Sequence, residues 1–173
     1  MDEAGLRKVC QLSSGGNTTI LSSLSCAAVG YCAGVGSYSA GRPGPSFERA
    51  FVANEVNGKR HAALEVPGLS RLVKDFPGAF LSQVSCGSRR SCAAVGGYGV
   101  NLDGNGYNAF VVTEVEGIWR AAIRVPGLTP LDKGHFAELN SVSCASANSC
   151  AAGGGSAVIG GSFKALLVER SAT

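Results

Sequence analysis

Six cysteines that form three almost equally spaced pairs are the residues with the clearest chemistry in this sequence. Five residues separate the two cysteines of each pair, and a serine precedes the first; the pairs are Cys26 with Cys32, Cys86 with Cys92, and Cys144 with Cys150. Two cysteines on consecutive strands of a hairpin can face each other where cross-strand side chains lie closest. The spacing therefore predicts three disulfides, each stabilising the fold by about 2 kcal/mol on the chain-entropy model. Disulfides in turn predict an oxidising compartment.

Two other states of these cysteines stay open. Zinc requires ligands that meet at one point, whereas the pairs are spread evenly along the chain and only His61 and His135 could add imidazoles. The second alternative is three reduced, buried pairs in a cytosolic protein. The seventh cysteine, Cys10, occupies the position of Leu64 and Ile123 in the other repeats. This predicts a small buried apolar side chain; if exposed, its thiol could cross-link chains.

Residues that could form a catalytic group are few. Asp132 and His135 share one loop, where the carboxylate could orient the imidazole, but no nucleophile motif accompanies them. His61 stands where the next repeat has Arg120, which indicates a surface position. No glycine-rich phosphate loop precedes a predicted helix, and no helix is evident. We predict no catalytic residue, no cofactor and no enzymatic activity, with a hydrolase based on Asp132 and His135 as an alternative.

A loop at 99–108 is rich in side-chain oxygens. Asn101, Asp103 and Asn105 could bind calcium, but the series of ligands that an EF-hand needs is incomplete. Turn formation explains the same residues without a ligand. We therefore predict no metal site.

Aromatic side chains suggest a different kind of site. Tyr38 and Tyr98 fall at matching positions of the first two repeats. Their rings could stack on sugars or pack between sheets, and both interpretations stay open. The residues predicted to bind a ligand are Tyr38, Tyr98, Asp103, Asn105, Tyr107 and Trp119.

The composition narrows the class of protein. The chain has 173 residues, 25 glycines and only 16% charged residues, which favours one domain of short strands joined by tight turns. A net charge of +3 without a run of Lys or Arg argues against binding to nucleic acid. No apolar run reaches the roughly 20 residues that span a bilayer. Because no apolar signal core follows the polar N-terminus, we expect a chain that is not exported by a cleaved signal, or a piece of a longer protein.

Internal repetition carries the fold prediction. The first cysteines of the three pairs are 60 and then 58 residues apart, and segments 55–69 and 114–128 align without a gap. We predict a single domain, 1–173, with repeats at about 19–79, 80–137 and 138–173. Each repeat should form four short antiparallel strands, because β-branched residues alternate with glycine-rich joints. The predicted fourth strands are 61–66 and 120–125, each preceded by a tight turn that ends in glycine.

The third repeat ends after its third strand, and segment 5–12 is predicted to supply the missing fourth strand. A propeller whose first and last segments pair shows this permutation, because closure removes exposed sheet edges. Propellers typically have four to eight blades, so three blades per chain are too few. We therefore predict an all-β fold of four-stranded blades that becomes a six-bladed ring in a homodimer. A β-trefoil, or a fragment of a longer propeller, is the alternative.

A motif at 141–154 (Ser-Val-Ser-Cys-Ala-Ser-Ala-Asn-Ser-Cys-Ala-Ala-Gly-Gly), together with Ala-Phe-Val-Val-Thr-Glu-Val and Ile-Arg-Val-Pro-Gly at 109–115 and 123–127, resembles tandem Cys-pair repeats of many actinobacterial proteins. The resemblance covers 6–170. It implies propeller-like β architecture and extracellular display, and it brings no catalytic motif. The first repeat departs from the pattern, because Ala-Ala-Val-Gly-Tyr at 27–31 replaces the polar hairpin.

These patterns predict a non-catalytic recognition module, with lectin-like carbohydrate binding as the specific hypothesis and repeated loops as a source of multivalent affinity. A structural or assembly protein without a small ligand is the alternative. We expect self-association into a homodimer, a glycan or protein partner, no nucleic acid and no membrane span. We expect the protein outside the cell or at its surface, with the cytoplasm as the alternative.

Overall fold

The computed structural model describes residues 18–40, 47–73, 78–99, 106–126, 128, 135–158 and 163–170. In this part of the chain the fold is all-β with antiparallel hairpins, as the sequence predicts. Three successive units follow one another along the chain, and each contains a meander of three long strands. The predicted strand at 5–12 lies outside the described residues.

The strands follow the same order in each unit. The first unit contains β1 (Thr19–Ala28), β2 (Tyr31–Ala40), β3 (Phe47–Val56), β4 (Lys59–Arg60) and β5 (Leu64–Glu65). After helix α1 (Leu69–Leu72), the second unit contains β6 (Ala79–Ser88), β7 (Ser91–Gly99), β8 (Tyr107–Val115), β9 (Ile118–Trp119) and β10 (Ile123–Arg124). The third unit contains β11 (His135–Ser146), β12 (Ser149–Val158) and β13 (Lys164–Arg170).

The tight turns predicted between the third and fourth strands are present. Asn57 and Gly58 have φ angles of 53° and 72°, and Glu116 and Gly117 have φ angles of 55° and 82°. Positive φ at both central residues is typical of the two-residue turn whose twist matches the flanking strands. These turns therefore set the pairing of the strands that follow them.

The fourth strand of each complete unit is more broken than the sequence predicts. Instead of continuous strands at 61–66 and 120–125, two short pieces flank residues 61–63 and 120–122. The ladder nevertheless continues, because the His61 N–H donates to the carbonyl of Asn54 (2.8 Å) and the Val66 N–H donates to that of Ala50 (3.1 Å). Each interruption contains two alanines, a residue depleted in strands.

One helix was not expected from the sequence. Gly68, with φ at 71°, begins a single helical turn at 69–72. Leu69 and the preceding Val66 are buried in the core. A helix of four residues is too short to produce a periodic apolar pattern, which explains why the sequence does not predict it.

Glycine is required at one position in every second strand. The first strand of each unit carries a bulge, and a glycine of the second strand lies against it. These glycines are Gly36, Gly96 and Gly154. A Cβ on any of them would lie 1.9 to 2.0 Å from a carbonyl oxygen of the first strand.

The second unit lies between the first and the third, and two apolar clusters fill the two junctions. The first cluster contains Val52, Leu81 and Phe110, and the second contains Val95 and Leu139. β11 also forms one parallel bridge with β8. Among the described strands, the sheets are not closed into a ring.

Candidate functional site

Each unit has two sides, and the repeat allows equivalent positions to be compared. We define the upstream side of a unit as the side turned to the preceding unit, and the downstream side as the side turned to the following unit. In the second unit, Leu81 and Val84 lie on the upstream side in the first cluster. Val95 and Val111 lie on the downstream side in the second cluster. Both sides of the second unit are therefore covered.

The upstream side of the first unit is open along β1. Leu21 is 51% exposed, whereas its equivalents Leu81 and Leu139 are 0% exposed. Leu24 is 63% exposed, whereas its equivalent Val84 is buried. The same side chains that form the core of the second and third units thus lie in solvent in the first.

We name Leu21 and Leu24, which lie on the same face of β1, the upstream patch. Phe51, on the third strand of the same side, is buried.

The downstream side of the third unit is open in the complementary way. Leu167 is 72% exposed, whereas its equivalent Val52 is fully buried and its equivalent Val111 is partly buried in a junction. Ala151 and Ala165 are exposed on the same side. We name Ala151, Ala165 and Leu167 the downstream patch.

Side chains of one unit also bind the backbone of the next. The N–H of Val84 donates to Ser23 Oγ at 3.3 Å, and the N–H of Cys86 donates to Ser25 Oγ at 3.0 Å. Strand β6 is the edge of its meander, so these hydroxyls satisfy N–H groups that would otherwise face solvent. The junction therefore combines apolar packing with an ordered row of hydrogen bonds.

The second junction repeats the row. The N–H of Val142 donates to Gln83 Oε1 at 2.6 Å, and the N–H of Cys144 donates to Ser85 Oγ at 3.0 Å. The serine that precedes the first cysteine of the pair, Ser25 in the first unit and Ser85 in the second, is therefore an acceptor for the following unit. The sequence motif contains this serine in all three repeats, but its role was not recognised from the sequence.

The third and first units carry the groups that correspond to the two halves of this row. Ser141 and Ser143, which correspond to the acceptors, are exposed on the third unit. Ser141 Oγ lies 3.4 Å from the carbonyl of Gly153, to which it donates, so its lone pairs can accept. Leu24 and Cys26 correspond to the donors on the first unit.

A polar network crosses the junction between the first and second units. Trp119 Nε1–H donates to Asn54 Oδ1 at 2.9 Å, and Asn54 Nδ2–H donates to Glu114 Oε1 at 2.6 Å. Glu114 and Trp119 are both buried. Burial raises the pKa of the Glu114 carboxyl, and the hydrogen bond from Asn54 and the charge of Arg90 oppose this rise.

A cleft of about 400 Å³ opens beside this network, between strands β3 and β5 of the first unit and strand β9 of the second. Exposed side chains of Leu64 and Ile118 line it with apolar surface. His61 and Arg90 add hydrogen-bond donors. The cleft can therefore hold a small molecule that combines an apolar surface with hydrogen-bond acceptors.

Two predicted ligand-binding tyrosines differ in their surroundings. Tyr98 is buried and packs edge-to-face against Phe110, with ring centroids 6.2 Å apart. Tyr38, at the matching position, is partly exposed and its hydroxyl donates to Glu65 Oε2 at 3.4 Å. The ring of Tyr98 is therefore part of the core, and only the ring of Tyr38 remains partly open to solvent.

The other described aromatic residues of the predicted site are engaged in packing. The ring of Tyr107 lies between Phe80 and Phe136, at centroid distances of 5.6 and 5.8 Å. Trp119 is buried in the network described above. Asp103 and Asn105 lie outside the described residues.

The remaining candidates for calcium binding or catalysis are also not described. Asn101, Asp132 and the side chain of His135 lie outside the part of the chain that the structure describes, and so does Cys10. Among the described residues, no group of three or more His, Cys, Asp and Glu side chains could hold a metal ion.

The three predicted disulfides are confirmed. Cys26 is bonded to Cys32, Cys86 to Cys92, and Cys144 to Cys150, with Cα atoms 3.9 to 4.0 Å apart. Each bond joins residues directly opposite each other on the first and second strands of a unit.

Helices long and apolar enough to cross a membrane are absent from the described segments. Comparison with known proteins adds no assignment: no protein-family model matches the chain, and a search of curated proteins finds no significant match.

Proposed function

We propose that this protein is a non-catalytic assembly and binding module, and that it is half of a six-bladed propeller-type ring completed by a second copy. One observation carries the proposal: the upstream and downstream patches are the two sides that every internal junction covers. Within the chain, Leu81 and Leu139 pack against the downstream side of the preceding unit. The downstream patch of one copy can cover the upstream patch of another copy in the same way.

The number of copies follows from the repeat. A head-to-tail contact between identical chains either closes into a ring or continues as a filament. Propellers typically have four to eight blades. With three units per chain, two copies make six blades, and no other whole number of copies falls within this range.

A substitution in the upstream patch tests the assembly. Leu24→Asp replaces an apolar contact that is worth about 1.5–3 kcal/mol when fully buried and adds an unpaired charge, and a closed ring contains this contact twice. We expect the wild-type chain to be a dimer by native mass spectrometry and light scattering, and Leu24→Asp to be a folded monomer.

Ile123→Asp is the matched control, because Ile123 is 62% exposed on the second unit and belongs to neither patch. It should leave the dimer intact. A wild-type chain that stays monomeric at high concentration, or that forms open filaments, would contradict the closed ring.

Small-ligand recognition, with a carbohydrate as the specific candidate, is a second function. The cleft between the first two units favours it, because apolar side chains and the donors of His61 and Arg90 converge there. Ile118→Glu puts a charge on the apolar wall of the cleft and should abolish binding on a glycan array. The control, Ile123→Glu, lies outside the cleft and should bind like the wild type. An array without any signal for the intact dimer would exclude a glycan-binding role.

We also propose that the protein works outside the cell or at its surface. The support is the set of three disulfides, which persist in oxidising compartments and are rare in the cytosol. The resemblance to actinobacterial Cys-pair repeats remains a prediction on the motif alone.

A further inference from the structure

The internal junction between the first and second units shows which polar contacts form between the third strand of one unit and the fourth strand of the next. There, Asn54 of β3 accepts a hydrogen bond from the indole N–H of Trp119 and donates one to Glu114. The three groups are neutral or hydrogen-bonded, and the junction holds no ion pair across it among the described residues.

The strand register identifies the equivalent residues at the two ends of the chain. Asn54 pairs with Ala33, and Glu169 pairs with Ala151; both alanines follow the second cysteine of their unit. Glu169 on the third unit therefore holds the position of Asn54, and its side chain is exposed on the downstream side.

The residue that would face Glu169 is found in the same way. In the second unit, Glu114 is paired with Trp119 across the outer hairpin. In the first unit, Glu55 is paired with Arg60 at the same position. Arg60 thus holds the position from which Trp119 donates its hydrogen bond.

We infer, on the basis of the proposed ring, that each closing junction contains an ion pair between Glu169 of one copy and Arg60 of the other. The guanidinium of Arg60 lies 3.9 Å from Glu55 in its own chain. Arg carries five N–H donors in a planar fork, so one guanidinium can serve two carboxylates. Glu169 occupies the place of a neutral amide, and Arg60 occupies the place of a neutral indole.

The row of hydroxyls continues across the same junction. Ser141 and Ser143 of one copy accept hydrogen bonds from the N–H groups of Leu24 and Cys26 of the other. Ser23 and Ser25 accept the equivalent bonds within the chain. The backbone edge of β1 is then covered in the same manner as the edges of β6 and β11.

The consequence is a closing junction whose strength depends on the salt concentration. Salt screens exposed charges, and the Debye length falls from about 10 Å at 0.1 M to about 3 Å at 1 M, so high salt weakens an exposed ion pair. The ring contains two such ion pairs, and each raises the association constant roughly twofold to fivefold. Because high salt weakens both pairs, it should lower the association constant of the dimer by about tenfold. The charges also select head-to-tail pairing over pairing of like ends.

Charge reversal with mixing tests the pair. Glu169→Arg places two cations at each junction, and Arg60→Glu places two acids there, so each variant alone should dimerise on the order of a hundredfold more weakly than wild type. An equal mixture should form heterodimers of near wild-type affinity, because one junction then has the native pair and the other has the reversed pair. Native mass spectrometry distinguishes the heterodimer by mass.

Lys164→Glu is the control, because it reverses a charge of the same strand on the opposite side, and it should dimerise like wild type. If the wild type dimerises but single reversals have no effect, or if mixing restores nothing, the ion pair is wrong while the ring stands. If the wild type never dimerises, the ring itself is wrong and the ion pair with it.

Discussion

At the scale of single residues, the junction between the first and second units depends on the side-chain amide of Asn54, which both accepts and donates a hydrogen bond. Asn54 accepts from Trp119 and donates to Glu114, which only a side chain with both an acceptor and a donor can do. Both partners are buried, so an unpaired group there would cost about 1–3 kcal/mol. This requirement explains why an Asn, with both a donor and an acceptor, lies on the downstream side of the junction.

Glu114 predicts a pH dependence of stability at this junction. Because burial raises its pKa in the folded chain above the ordinary value of 4.5, the folded state holds the proton more tightly than the unfolded state. The free energy of unfolding should therefore fall as pH rises from 4.5 through the raised pKa. Chemical denaturation of Glu114→Gln should show a flatter pH profile and greater stability than wild type at neutral pH.

The matched control is Glu116→Gln, which replaces an exposed carboxylate in the neighbouring turn. Its pH profile should follow that of the wild type. A Glu114→Gln profile that kept the wild-type slope would show that another group causes the pH dependence.

At the scale of elements, each hairpin is specified by a bulge, a glycine and a disulfide that act within one pair of strands. The bulge brings a carbonyl of the first strand close to the second strand, and glycine leaves the space for it. The disulfide then joins the same two strands beside the turn that connects them. These devices are local, so they recur in all three units despite different surroundings.

Gly96→Ala should therefore destabilise the fold strongly. Its Cβ would lie 2.0 Å from the carbonyl oxygen of Phe80, and relieving that overlap moves backbone in the middle unit. We expect a loss of about 2–3 kcal/mol in the free energy of unfolding, measured by denaturant titration. Gly78→Ala, where nothing lies within 4 Å of the added Cβ, should change stability little.

At the scale of the whole molecule, the two terminal units each leave one side uncovered. The middle unit is stabilised by two neighbours, whereas the first and third are stabilised by one. This is the behaviour of a repeat array, in which each unit contacts only the adjacent ones and the ends need a cap. In the proposed ring, a second copy would supply both caps at once.

Thermal stability should accordingly depend on protein concentration. A partner that binds only the folded chain shifts the unfolding equilibrium by mass action. Scanning calorimetry over a range of concentrations should show the wild-type Tm rising with concentration, whereas the Tm of Leu24→Asp should be constant. A constant Tm for the wild type in the range where it is dimeric would contradict coupling between assembly and folding.

The sequence determined the local features, because they depend on residues near each other in the chain. The spacing of Cys86 and Cys92 predicted a disulfide, and the Asn57-Gly58 turn predicted a hairpin, both correctly. Whether a side chain is buried depends on what lies beside it in space, which only the tertiary structure decided. Leu21 and Leu81 are the same residue in the same motif, yet one meets solvent and the other meets the preceding unit.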